Sequence, residues 1–394
     1  MRRLSDRVTA ASESQTLAIA ARAKELARCG YDVISLAVGE PDFPTPPCVC
    51  QAAIRAIEEG KTRYTESSGI PELRRAVAEK FRRENHLPHA TEETVLISCG
   101  AKHSIMNALH ALCNPGDSVL IAAPYWVSYP AMAMLAGAQP RIVFTRAENG
   151  FKLTPEQLEQ HLDDSVACVI LNSPCNPTGA MYTRDEIADL VTVLATHDCY
   201  IISDEIYEKL TYTHEHVSIG AFDAVAERTI TVNGCSKAYA MTGWRIGFMT
   251  GPRELIVQAA KVQSQDTSNP TSIAQYAALA ALSCAEQDVA RMRERFAHRR
   301  QLLLDLLAAI PGVQAYPPDG AFYVWLDIRS VLPPTWNSHT FAEQLLEKQY
   351  VATVPGEAFG MAGFIRLSFA TSEEQLHQAI ERLNQFIATL LQVQ

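Results

Sequence analysis

The sequence predicts an α/β protein whose larger part is built on a mostly parallel central sheet, and three observations carry that prediction. Short apolar runs rich in β-branched residues recur from Val95 onward, each closed by a turn of small or polar residues and most followed by a helical stretch. The length, 394 residues, exceeds what one domain usually takes, so two domains with a sizeable core are expected. The residues able to do chemistry cluster just behind the ends of the apolar runs, the edge at which open α/β sheets bind ligands.

Composition narrows the function classes. Hydrophobic residues make up 47% of the chain, as in soluble globular proteins, and no apolar run approaches the ~20 residues of a membrane helix. The basic start Met1-Arg-Arg is followed by polar residues, so it is not a secretory signal. A net charge of −10 argues against a nucleic-acid partner while leaving room for a local positive pocket. The ten cysteines are scattered, with Cys48-Val-Cys50 the only close pair, so neither a metal site nor a disulfide framework is expected. Reduced thiols in a cytoplasmic protein are the expectation.

Taken in order, residues 14 to 29 carry apolar positions at helical spacing and end at Gly30. Tyr31 to Val38 reads as a strand, stopped by the proline-rich stretch Gly39-Glu-Pro-Asp-Phe-Pro-Thr-Pro-Pro47. That stretch is either a plain connection or a place where Gly39 offers backbone to a ligand. Helices are expected over 48–59 and 72–85, with Tyr64 in the polar loop between them. Val95 to Ser98 is a buried strand, and Cys99-Gly100-Ala101 turns straight into a helix from Lys102 to Leu112. A small-residue turn at a helix start exposes free N–H groups and so suits a phosphate, although a tight connection needs the same residues. The strand Ser118 to Ala122 delivers Pro124-Tyr125-Trp126, where the tryptophan is either core or a plate for a flat ring.

Val166 to Leu171 leads into Asn172-Ser-Pro-Cys-Asn-Pro-Thr-Gly179, a rigid loop in which a cis bond before Pro177 would fix Asn176. Cys199 to Ser203 is followed by Asp204-Glu205-Ile206-Tyr207. A carboxylate at the end of a buried strand is costly unless it meets a cation, though it also serves as a helix cap. Thr229 to Val232 then breaks at Asn233-Gly234 and presents Ser236 and Lys237, with Arg245 between Gly243 and Gly247. A lysine on a small-residue turn behind a rigid strand is either a surface lysine or a partly desolvated amine able to attack an aldehyde. An arginine beside it suits a dianionic phosphate. An anion turn, an aromatic plate, an acid, hydroxyl and amide donors and an amine together match pyridoxal phosphate group by group.

The stretches Gly39-Glu-Pro-Asp-Phe, Pro124-Tyr-Trp-Val-Ser-Tyr, Asn172-Ser-Pro-x-Asn-Pro-Thr-Gly, Ser203-Asp-Glu-Ile-Tyr, Ser236-Lys-Ala-x-Ala-Met-Thr-Gly-Trp-Arg-Ile-Gly and Ile365-Arg-Leu-Ser are ordered along almost the whole chain. With them the chain resembles a class I aminotransferase, nearest the bacterial aspartate aminotransferases of subgroup Ib, some of which also act on prephenate. The resemblance implies fold type I, pyridoxal 5′-phosphate bound as a Schiff base to Lys237, and a homodimer with shared active sites. It implies a large domain over 45–290 and a small domain from 1–44 and 291–394, with Gly320 to Trp325 and Ile365 to Ser368 as strands of the latter.

It also implies roles. Asp204 pairs with the ring nitrogen, Tyr207 and Asn176 bond the phenolic oxygen, and Trp126 stacks on the ring. Gly100, Ala101, Lys102, Ser236 and Arg245 surround the phosphate, with Tyr64 reaching in from the other subunit. Arg366 grips the substrate α-carboxylate beside Gly39, Trp126 and Asn176, while Ser14, Thr16 and Lys102 face a distal carboxylate. The implied reaction moves an amino group between L-aspartate or glutamate and oxaloacetate or 2-oxoglutarate by ping-pong kinetics, with Lys237 as the general base. Amination of prephenate to arogenate is the alternative, and β-elimination on the same fold keeps every cofactor residue. A module that only holds the cofactor is disfavoured by Lys237 and Arg366, and a nicotinamide oxidoreductase by the lack of a GxGxxG behind any strand.

Overall fold

The structure, a computed structural model, describes residues 4–10 and 15–393. In chain order its strands are β1 (Ile34–Ser35), β2 (Val95–Ser98), β3 (Ser118–Ala123), β4 (Gln139–Phe144), β5 (Val166–Asn172), β6 (Tyr200–Asp204), β7 (Thr229–Gly234), β8 (Gly247–Thr250), β9 (Gln314–Tyr316), β10 (Tyr323–Asp327), β11 (Val351–Ala352), β12 (Val354–Pro355) and β13 (Phe364–Ser368). Seven form one sheet in the order β2-β8-β7-β6-β5-β3-β4, parallel except that β8 runs against both neighbours. The five apolar runs marked by the sequence are β2, β3, β5, β6 and β7, almost wholly buried because helices cover both faces. The two further strands lack that signature. β4 is an edge strand with Pro140 and Arg141 in it and only one fully buried residue. β8 is four residues long and follows directly on the lysine loop.

A second sheet, ordered β12-β13-β10-β9, is antiparallel throughout, and β1 pairs with β11 beside it. The strand expected over Tyr31 to Val38 shortens to Ile34–Ser35, after which Leu36 bridges to both Ala352 and Ser368 through its backbone. The strand expected from Gly320 begins only at Tyr323. Ala321 sits in the left-handed region at φ 59°, and Gly320 is pressed on Pro174, so the chain is still turning there. The helices over Pro47–Glu58, Pro71–Glu84 and Ala101–Leu112 match expectation within a residue or two, as does Gln15–Arg28.

Two expectations need correction. The cis bonds precede Pro124 and Pro174, not Pro177. Asn176 is held instead by hydrogen bonds, its N–H donating to Asn172 Oδ1 at 2.9 Å. The thiols are not all free either, because a disulfide joins Cys48 to Cys284. The helix Pro47–Glu58 packs along Ser272–Cys284, and the two cysteines meet there although 236 residues apart in sequence, a separation at which no spacing motif operates. Among the described residues no helix is long and apolar enough to cross a membrane.

The two sheets are tied together at Gly179, in the loop after β5. Its carbonyl accepts from the N–H groups of Asp319 and Gly320, each at 2.9 Å, on the approach to β10. At φ 70° it tolerates no side chain without strain, and a Cβ would lie 2.2 Å from that of Pro318. Gly179→Ala is therefore expected to lower stability by about 2–4 kcal/mol through backbone strain and overpacking. Differential scanning calorimetry measures the shift, and an unchanged melting temperature contradicts this account of the joint.

Candidate active site

The C-terminal ends of β2, β3, β5, β6 and β7 converge with Gly39, just past β1, and Arg366, in β13, around a cavity of about 300 Å³. Gly39, Ala101, Lys102, Trp126, Asn176, Asp204, Tyr207, Ser236, Lys237, Arg245 and Arg366 all line it, so nearly every expected site residue is brought together. Gly100 immediately precedes this lining. Tyr64 does not reach the cavity of its own chain and is 91% exposed. Ser14 lies outside the described residues, and for Thr16 only the helical backbone is described.

One end of the cavity is built for an anion. Gly100 turns β2 into the helix Ala101–Leu112 at φ 88°, and a Cβ there would lie 2.4 Å from Arg245 Nη2. Only glycine leaves that space, and the first N–H groups of the helix, which have no acceptor within it, open beside it. Arg245 is itself left-handed, at φ 58°. That conformation folds its guanidinium back so that Nη1 donates to the Thr242 carbonyl at 2.9 Å and Nη2 to that of Cys99 at 3.3 Å. Ser236 is buried nearby.

At the floor is Asp204, 4% exposed, the last residue of β6. Its Oδ2 accepts from the Tyr129 hydroxyl at 2.6 Å and its Oδ1 from the Ile206 N–H at 3.2 Å, both neutral donors. Burial raises its carboxyl to about 6, against the pull of the Tyr129 bond. Its neighbour Glu205 points to the other side of the strand. There it accepts from the hydroxyls of Ser203 and Ser218 (2.8 and 2.6 Å) and from Asn85 Nδ2 at 2.9 Å, and His216 Nε2 lies 2.9 Å away. Glu205, Glu208 and His216 could gather around a cation, but the Lys80 ammonium already bonds Glu208, so the cluster is an ion-pair network beneath the Asp204–Tyr207 turn.

Lys237 Nζ donates to the Gly39 carbonyl at 2.5 Å. Burial brings its amine down to about 8, with Arg366 and Arg245 adding to the effect and Glu40 and Asp204 opposing it. Arg366, 2% exposed, donates from Nη1 to Asn176 Oδ1 at 2.9 Å and from Nη2 to the Ala37 carbonyl at 2.7 Å. Its Nε is buried without an acceptor among the described residues. Its guanidinium lies 4.3 Å over the Tyr323 ring, and the Tyr323 hydroxyl meets that of Tyr207 at 2.8 Å. Trp126 stands edge-on to Tyr129 with centroids 5.3 Å apart, and Lys102 Nζ lies 4.9 Å over its ring. Burial, helped by Arg245, lowers the Lys102 amine.

Three residues here escaped sequence reasoning. Tyr129 closes the Pro124–Tyr129 motif, but nothing local says that its hydroxyl meets Asp204. Asn172 donates from its side chain to the Asp204 carbonyl at 2.9 Å, a link between adjacent strands. Tyr323 lies in a strand buried at all five positions, so alternation does not single it out.

The residues present fit pyridoxal 5′-phosphate. The glycine-framed turn with its arginine would suit a phosphate, the buried acid, which has no cationic bond partner among the described residues, a ring nitrogen, and the low-pKa amine an aldehyde. Sheet order and site thus define a fold type I pyridoxal-phosphate enzyme. Comparison with known proteins agrees: the family described as aminotransferase class I and II matches residues 31–383. An aspartate/prephenate aminotransferase of Cereibacter sphaeroides is 48% identical, covering 98% of this chain and 99% of its own. An aspartate aminotransferase of Bacillus subtilis is 43% identical with the same coverage. The structure of an aspartate aminotransferase from Thermus thermophilus with maleate superposes with a TM-score of 0.94 at 46% identity, over 98% of this chain and 100% of that one. The chain belongs to the class I and II aminotransferases and is a pyridoxal-phosphate-dependent transaminase.

The carboxyl of Asp204 gives a stability test. Because burial raises it from 3.8 to about 6, the folded cofactor-free protein keeps a proton that the unfolded chain has released between those values. Stability therefore falls as pH rises through that window, and the loss is complete above it. Cofactor-free Asp204→Asn is expected to exceed cofactor-free wild type by about 1–3 kcal/mol at pH 8 and to lose that advantage near pH 4. Urea denaturation at both pH values measures this; equal stability at pH 8 overturns it.

Proposed function

We propose that the protein moves the amino group of L-aspartate or L-glutamate to oxaloacetate or 2-oxoglutarate. The observation that carries this reading is a cavity lined by more than one cation besides Lys237: Arg366, and Lys102, whose Nζ lies over Trp126. A dicarboxylic substrate offers one carboxylate to each of these two. The names borne by the full-length relatives support the same reading.

Bound pyridoxal phosphate supplies the electron sink that lets the Cα–H bond of an amino acid break. Asp204 would hold the proton on the ring nitrogen, which an anion without a cationic bond partner among the described residues is suited to do. Arg366 spends Nη1 on Asn176, which fixes the amide with Nδ2 toward the cavity, so Asn176 and Tyr207 both donate to the phenolic oxygen. The unpartnered Nε of Arg366 and its neighbouring N–H face the substrate α-carboxylate beside Gly39. Gly100, Ala101, Lys102, Ser236 and Arg245 hold the phosphate, and Trp126 stacks on the ring. Lys237 Nζ, brought by burial to about 8, is neutral often enough near physiological pH to accept the substrate Cα proton as general base. The nitrogen then passes to a second oxo acid by the same steps reversed, so nothing is consumed but the two substrates.

The reading extends to a cytoplasmic homodimer in which the exposed Tyr64 enters the other subunit's site, and to a division into 45–290 and 1–44 with 291–394 about the cavity. Prephenate is the second acceptor we propose, since Lys102 and Thr16 are present and a 48% identical relative carries that activity in its name.

Borohydride reduction of the holoenzyme is expected to fix the cofactor on Lys237, and Lys237→Ala to abolish transamination while still binding cofactor. Peptide mapping that finds the label on another lysine refutes the assignment. Lys102→Met removes a charge-assisted hydrogen bond of roughly 1.5–3 kcal/mol, so kcat/KM for aspartate, glutamate and prephenate should fall by about 10- to 150-fold. Alanine and phenylalanine should be little affected, and an equal loss for all five would show that Lys102 serves the phosphate alone.

A further inference from the structure

We infer that Tyr323 is a positioning residue for the reaction, linking the carboxylate-binding Arg366 to the hydroxyl that Tyr207 aims at the cofactor. The inference rests on the roles proposed above for Tyr207 and Arg366. β10 and β13 are antiparallel with Trp325 opposite Arg366, so Tyr323, two residues earlier, is the diagonal neighbour of Arg366 on the same face. That register lays the phenol ring under the guanidinium, 4.3 Å from the centroid. The hydroxyl leaves the second sheet altogether and meets Tyr207 on the first, 2.8 Å away, with the two rings 5.8 Å apart and inclined at 81°. Gly39 leaves the room for this, because a Cβ there would come within 3.0 Å of the Tyr323 oxygen. Both tyrosines are buried, at 0% and 3% exposure, so water does not compete for the bond.

The direction of the bond follows from counting protons. Tyr207 has one hydroxyl proton, and if it donates to the phenolic oxygen then Tyr323 must donate to Tyr207. Donors in series polarise one another, and a cation over the ring of Tyr323 makes its phenol the stronger donor. The charged and titratable groups facing the pair are Arg366 on β13, Asp204 at the end of β6 and Lys237, whose Nζ stands 6.0 Å over the Tyr207 ring. Among these only Arg366 touches Tyr323 directly.

The test reads the pH midpoint of the visible absorbance change of the bound cofactor in the holoenzyme. Hydrogen bonds to the phenolic oxygen favour the unprotonated chromophore, so weakening them raises the midpoint. Tyr323→Phe, which keeps the ring under Arg366, is expected to raise it by about 0.5–1 pH unit. Its KM for amino donors should stay within about twofold, whereas Tyr323→Leu, which removes the ring as well, should raise KM for all donors alike. Tyr207→Phe should raise the midpoint at least as far as Tyr323→Phe, and the double variant no further than Tyr207→Phe alone. A midpoint that moves in Tyr207→Phe but not in Tyr323→Phe overturns the inference and leaves the role of Tyr207 standing. Immobility in both overturns that role and the inference with it. Additive shifts in the double variant, or an unchanged KM in Tyr323→Leu, also overturn the link, since Tyr323 would then act on its own.

Discussion

The hydrogen bond from Arg366 to Asn176 spans the gap between the two sheets, and the rest of the site is arranged about it. Arg366 belongs to an antiparallel sheet and Asn176 to a loop of the parallel one. Neither side chain has a full set of partners on its own side. The guanidinium is out of water, which lowers its pKa, and it is kept charged by what it meets: a carbonyl, an amide oxygen and the faces of Tyr323 and Phe359. Breaking the contact would leave a buried cation short of one acceptor, a costly state. The joint at Gly179 protects it by holding the Asn176 loop against the start of β10.

Below that bond the parallel sheet separates two adjacent carboxylates by the pleat of a single strand. Glu205 has four polar side-chain partners behind the sheet, His216 among them, while Asp204, one residue away, has two hydrogen bonds in front, both from neutral donors. The first arrangement stabilises the turn, and the second leaves a charge for a ligand to satisfy. A strand end that carries both lets the structural acid hold the functional one in place, since neither can shift without moving the other.

How much of this is legible in the sequence depends on how local each cause is. The five inner strands are readable because a sheet covered on both faces demands continuous apolar runs. The edge strand β4 tolerates Pro140 and Arg141 and so leaves no such trace. Lys237, Asp204 and the Gly100 turn stand out by position alone, as unusual residues behind those runs. Arg366 does not, since one arginine in a β-type run looks ordinary and only the resemblance points to it. Tyr129, Tyr323 and the Cys48–Cys284 bridge depend on contacts between distant segments, and no window of sequence contains both partners.

The reversed strand β8 has a metrical consequence. It lies between β7, which ends just before the lysine loop, and β2, which ends at the anion turn, with Gly247 level with Gly234 on one side and Ser98 on the other. A Cβ on Gly247 would come within 2.1 Å of the Ala101 nitrogen, so the strand fits against that turn with no slack. Two strand spacings, roughly 10 Å in all, therefore separate the strand that leads to the amine from the strand that leads to the phosphate cradle. β8 acts as a ruler laid crosswise in the sheet. With the cofactor held as proposed, the span between its ends would be gauged by backbone hydrogen bonds, which no change of side chain in the pocket can stretch.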